Sequence, residues 1–104
     1  MISAVFFRKS GCLLGFDISG HAFYDSEGSD VVCAAVSSAV QLTCNTITDF
    51  LNCDAKVNVK GGHINLRLDS EDPSANALLS SFAHHIKLIS EDYSGTITIT
   101  FSEV

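Results

Sequence analysis

Two side chains in this sequence are of types that perform nucleophilic chemistry together. Cys33 carries a thiol, and His21 lies before it with eleven residues between. A thiolate attacks carbonyl carbon. A neighbouring imidazole takes the thiol proton and later returns it to the leaving amine. His21 stands where a strand pattern ends and a loop pattern begins, and Cys33 falls near the start of a long helical pattern. The first turn of a helix has unpaired amides and partial positive charge, which favour thiolate over thiol and could hold an oxyanion. Spacing alone also admits a buried helix cysteine and an ordinary polar histidine.

The elements that must position this pair follow from hydrophobic periodicity. Ile2 to Arg8 is rich in strand formers, Lys9-Ser10-Gly11 signals a turn, and Leu14, Phe16 and Ile18 alternate with small or polar residues. Gly20 to Ser29 reads as an irregular loop. A helix is predicted from about Asp30 to Leu51, with Ser29 or Asp30 as N-cap and an apolar stripe of Val32, Val36, Val40 and Ile47. A second hairpin turns at Gly61-Gly62, with Val57 and Val59 before it and Ile64, Leu66 and Leu68 after it. Asp72-Pro73 opens a second helix, whose stripe is Ala75, Leu78, Leu79, Phe82, Ile86 and Ile89. The last strand is Thr96 to Phe101. The order ββαββαβ predicts an α+β two-layer sandwich, a mostly antiparallel five-stranded sheet with both helices on one face.

Composition bounds the function. A chain of 104 residues is one domain, 1–104, with enough apolar residues for a core. The net charge of −6 disfavours direct nucleic-acid binding and suits a basic partner. Arg8 and Lys9 follow the first apolar segment rather than preceding it, which is unlike a secretory signal, and no apolar run is read as a membrane span. A cytoplasmic protein with reduced thiols is expected. Cys12, Cys33, Cys44 and Cys53 contain no Cys-x-x-Cys, and the adjacent His84 and His85 point about 100° apart on a helix. No metal site and no cofactor are expected.

Around the pair stand Gly20-His21-Ala22, Gly28, Asp30-Val31-Val32-Cys33 and Val36-Ser37. This pattern, with the length and element order, resembles the ribosomal-processing cysteine protease (Prp) family across essentially the whole chain. The resemblance implies a homodimeric cysteine endopeptidase that removes the N-terminal extension of bacterial large-subunit ribosomal protein twenty-seven, cutting after an apolar, Phe-containing sequence. It implies Cys33 as nucleophile and His21 as general base and acid. Asp30 would orient His21 or only cap the helix. Ser37, one turn beyond Cys33, would line the site or bond a backbone carbonyl. The loop from Phe23 to Ser29, with Gly20, Ala22, Tyr24 and Gly28, would form a lid over the substrate. Two other readings stay open: a non-catalytic ribosome-associated module in which Cys33 is structural, and a thiol redox protein, for which no resolving cysteine is placed in sequence.

Overall fold

Two-residue turns with positive φ organise most of the sheet. A computed structural model of the chain describes residues 1–20 and 31–104 in full and residues 27–30 by backbone. Strand β1 (Ile2–Lys9) turns through Ser10 and Gly11, at φ 52° and 83°, into β2 (Cys12–Gly20). Strands β3 (Ala55–Lys60) and β4 (His63–Leu68) are joined through Gly61 and Gly62, at φ 35° and 76°. Both turns match the left-handed conformations that tight hairpins need. The sheet order is β3-β4-β2-β1-β5, with β5 spanning Ile97–Glu103. Four strands pair antiparallel, but β5 lies parallel to β1, so the sheet is mixed. The cause is the crossover: helix α2 (Pro73–Asp92) carries the chain from β4 back across the sheet, and the next strand runs in β4's direction along β1's open edge.

The core lies on one face of this sheet. Ile2, Ala4 and Phe6 of β1, Phe16 and Ile18 of β2, and Leu66 of β4 meet the stripes of both helices. Phe6, Phe16 and Phe82 form an aromatic centre with ring centroids 5.1–6.4 Å apart. Gly15 is required where β4 passes: a Cβ there would sit 1.9 Å from the Leu66 carbonyl oxygen. Helix α2 is capped as its sequence predicts. The Asp72 carboxylate accepts the Ala75 N–H at 2.9 Å, and Pro73 occupies the first turn.

Helix α1 departs from expectation at both ends. It spans Glu27–Asn45, so Gly28, Ser29 and Asp30 lie inside it, and neither Ser29 nor Asp30 is its N-cap. The predicted loop is correspondingly shorter. At the other end a π-helical turn, Thr46–Phe50, replaces the predicted α-helix, closed by Leu51 N–H donating to the Thr46 carbonyl at 2.9 Å. Thr43, Thr46 and Thr48 each donate a hydroxyl to the carbonyl four residues back. Such back-bonding competes with helical carbonyls and bends the axis, and a widened turn follows.

The stretch Val31–Phe50 is also long and apolar enough, by length and composition, to cross a membrane, contrary to the reading that no such run exists. Its apolarity comes largely from Ala and Cys interspersed with Ser and Thr. Four of its larger residues, Val32, Val36, Val40 and Ile47, are buried in the core of the sandwich, while Val31, Leu42 and Phe50 are exposed.

Candidate active site

Strand β2 ends at Gly20 because the backbone there can be little else. Gly20 has φ +89°, and a Cβ would approach the Met1 carbonyl oxygen to 2.5 Å. Glycine is therefore dictated immediately before His21. His21 itself, with Ala22, Phe23 and Tyr24 of the expected lid, lies outside the described residues. Gly28 and Asp30 are in the first turn of α1, which removes capping as the role of Asp30 and places Gly28 on a helix rather than in a loop.

Cys33 is the seventh residue of α1, not a first-turn residue. At 1.5 Å per residue its Cα is about 9 Å along the axis from the helix start. Its own amide is inside the hydrogen-bonded ladder, and the dipole effect falls off over the first turn. Thiolate formation at Cys33 thus depends more on a neighbouring base than its expected position implies.

A cleft of about 330 Å³ opens beside Cys33, which is half-buried. Gly20 and Ser37 line the same cleft, so three residues singled out in the sequence converge there. Apart from Val36, which the motif includes, the remaining wall comes from residues that sequence reading did not connect with the site. Ile2 and Ile18 form part of it from the sheet, Val36, Val40 and Gln41 from α1, and Val59, Gly62, His63 and Ile64 from the tip of the β3–β4 hairpin. Alternation along β3 and β4 had marked Val59 and Ile64 as facing the helices. Only the sheet order brings that hairpin beside β2.

His63 is exposed on its strand. Its Nε2 lies 2.7 Å from Asp17 Oδ1, while Asn65 donates to Asp17 Oδ2 at 2.9 Å. Two other cysteines are held against ionisation. Burial pushes the Cys44 thiol up to about 11. Cys53 is also raised, first by desolvation and then by Asp72 and Asp54.

A larger cavity, about 560 Å³, lies at the other end of β1 and β2. Leu13, Ile99 and Phe101 line it with Arg8, His84 and Lys87. Arg8 is occupied there, 2.6 Å from Glu103 and stacked over Phe101. No cysteine lines this cavity, so thiol chemistry belongs to the smaller cleft.

Residues 1–98 match the model of the family described as cysteine protease Prp. The chain belongs to that family. It is 26% identical over 87 residues to the ribosomal processing cysteine protease Prp of Staphylococcus aureus strain NCTC 8325 / PS 47, a match covering 81% of this chain and 82% of that one. Among solved structures it is similar to the essential ribosomal processing protease Prp from S. aureus in complex with a covalently linked product peptide, with a TM-score of 0.88 and 24% identity over 98% of this chain and 100% of that one. It is equally similar in fold to SMU.848 from Streptococcus mutans, with a TM-score of 0.88 and 26% identity over 100% and 99% of the two chains. These neighbours share the five-stranded sheet and its two helices, and the family assignment makes this fold a cysteine-protease scaffold.

Proposed function

We propose that the protein is a cysteine endopeptidase that removes the N-terminal extension of bacterial large-subunit ribosomal protein twenty-seven. The observation that carries this is the cleft, where Cys33 meets an apolar wall directly beside Gly20, the residue before His21. Cys33 Sγ attacks the scissile carbonyl after His21 takes its proton. The tetrahedral oxyanion collapses to a thioester, and the amine leaves with the proton from His21. Water, activated by His21, then releases the acyl group and restores the thiol. With Cys33 remote from the helix start, His21 supplies most of the activation. Asp30, near the start of α1, orients His21. Ser37 contacts the bound peptide from the cleft wall.

Ile2, Ile18, Val36, Val40, Val59 and Ile64 give the cleft the character that an apolar, Phe-containing cleavage sequence needs. Phe23 and Tyr24 close over that sequence. A covalently linked product peptide in the S. aureus relative is in keeping with the thioester route. The reading also takes the protein as a cytoplasmic homodimer. Val31, Leu42 and Phe50 are 52%, 69% and 80% exposed on one long, nearly uncharged segment, and that surface is the basis for a self-contact.

A structural role for Cys33 would need it sealed in the core. Its partial exposure in the cleft favours catalysis. The test is cleavage of a peptide carrying an apolar, Phe-containing site, followed by mass spectrometry, with Cys33→Ala and His21→Ala beside the native chain. Cleavage is expected from the native chain alone. Cleavage that survives Cys33→Ala overturns the assignment.

A further inference from the structure

Helix α1 lends the cleft two unlike sets of side chains. Val36 and Val40 are buried and line it with Ile2 and Ile18, which gives an apolar floor. Ser37 and Gln41 line it too, yet both are exposed. Helix positions four apart advance about 6 Å and rotate by only about 40°. Cys33, Ser37 and Gln41 therefore stand in one file along the cleft: a nucleophile, then a hydroxyl, then a primary amide. Gln41 lies about 12 Å along the axis from Cys33.

The fold does not use the polar members of this file. Thr43, Thr46 and Thr48, farther along the same segment, donate their hydroxyls to carbonyls four residues back. Among the described residues, no side-chain hydrogen bond involves Ser37 or Gln41. Neither Lys, Arg, Asp nor Glu is among the described residues that line the cleft, so a ligand there is oriented by uncharged hydrogen bonds. An extended peptide presents its backbone groups to one side every ~6.8 Å, close to the step of about 6 Å in the file. A primary amide offers a donor and an acceptor together, which matches the C=O and N–H of a peptide backbone.

We propose that Gln41 binds the main chain of the substrate at the fourth or fifth residue before the cut. This rests on the peptidase reading above, in which an apolar sequence precedes the scissile bond. The apolar floor made by Val36 and Val40 runs from Cys33 toward Gln41, so the part of the peptide before the cut lies along it. At ~3.4 Å per extended residue, about 12 Å spans three to four residues beyond the one acylated on Cys33. Ser37 meets the main chain midway, and Gln41 holds its far end. Side chains turned to the floor are selected by apolarity, whereas Gln41 selects for length. A substrate with fewer than four residues before the cut forfeits this contact, whatever its side chains.

The test uses two peptides with the same apolar, Phe-containing cleavage sequence. The long one keeps six residues before the cut, and the short one keeps three behind an acetyl cap. Gln41→Met preserves side-chain length and removes the hydrogen bonds. With the long peptide it should raise KM about fivefold at unchanged kcat, as the loss of about one net hydrogen bond from uniform binding requires. The same factor of about five should appear in Kd when fluorescence anisotropy follows the labelled long peptide on Cys33→Ala, with and without Gln41→Met. With the short peptide, native and Gln41→Met chains should agree within about twofold. Alanine at the fourth and fifth residues before the cut should leave the factor intact, because the contact is to the main chain. An unchanged Kd for the long peptide in Gln41→Met, or no binding of it to Cys33→Ala, overturns the proposal. So does an equal loss with the short peptide, or a loss abolished by the alanine exchange. Gln41-dependent binding without cleavage by the native chain supports the contact and overturns the peptidase reading instead.

Discussion

The two helices of this sandwich are built to different standards. Helix α2 has a side-chain cap, a proline in its first turn, and a stripe that ends in the aromatic centre through Phe82. Helix α1 carries Cys33 and mixes small residues into its stripe. It leaves large apolar side chains in solvent and ends in a π turn. One helix anchors the sheet; the other presents the cleft. Features that would tighten α1, such as bulkier side chains around Val36 and Ser37, would fill the space the cleft occupies. Stability and chemistry are thus assigned to different elements.

That division can be broken by pairs of substitutions. Cys33→Ala should lower peptide cleavage at least ~1,000-fold while costing little thermal stability, because Cys33 is only partly buried against the core and borders the cleft. Phe82→Ala should do the reverse, costing about 3–5 kcal/mol in denaturant unfolding through the cavity left among the rings. If Phe82→Ala left stability intact, α2 would not be the anchor described above.

Gly20→Ala sharpens the boundary between the two roles. The methyl group must enter a positive-φ position against the Met1 carbonyl, so a loss of about 1–3 kcal/mol is expected. Because His21 follows directly, cleavage measured well below the melting transition should also fall. A variant destabilised but fully active would separate Gly20 from the site. Asp72→Ala should cost about 1 kcal/mol with no effect on cleavage, read by equilibrium unfolding.

The smallest effect is a pH dependence. The Cys44 thiol ionises near 11 in the folded chain, against an ordinary value of 9.0. A group whose folded pKa is raised keeps its proton longer when folded. Its contribution is fully present below about 9 and is lost as pH rises toward about 11. Stability should therefore decline across that window, more in the native chain than in Cys44→Ala, and alkylation at pH 8 should spare Cys44.

Local signals were read correctly where the chemistry is local. Ser10-Gly11, Gly61-Gly62 and Asp72-Pro73 name their own turns and cap, and alternation assigned the core face of β4, but the register shift at Phe7 and Arg8 buries Leu13 rather than Leu14 in β2, and Val57 and Val59 of β3 stay exposed. What the sequence concealed depends on distant partners. The parallel β1–β5 pairing follows from a crossover, not from any residue of β5. The start of α1 at Glu27 lacks the strong signal that Asp72-Pro73 gives α2, so Ser29 and Asp30 looked like the better cap. Within the site, Gly20, Cys33 and Ser37 were legible because they share a motif, and Cys33 and Ser37 also share a helix face. Val59, Ile64 and Gln41 were not, because tertiary packing alone brings the hairpin tip to α1.

The pairing of the first strand with the last bears on when the molecule can act. Ile2 is hydrogen-bonded to the Thr96 carbonyl at 2.9 Å, and Met1 and Ile2 also bound Gly20 and the cleft. The strand that supports the site therefore gains its second neighbour only when the final segment of the chain arrives. Contacts of such long sequence separation form late and slow the folding reaction. A nascent chain lacking residues 97–103 would have β1 as an open edge, so the site is supported on both sides only once those residues are available.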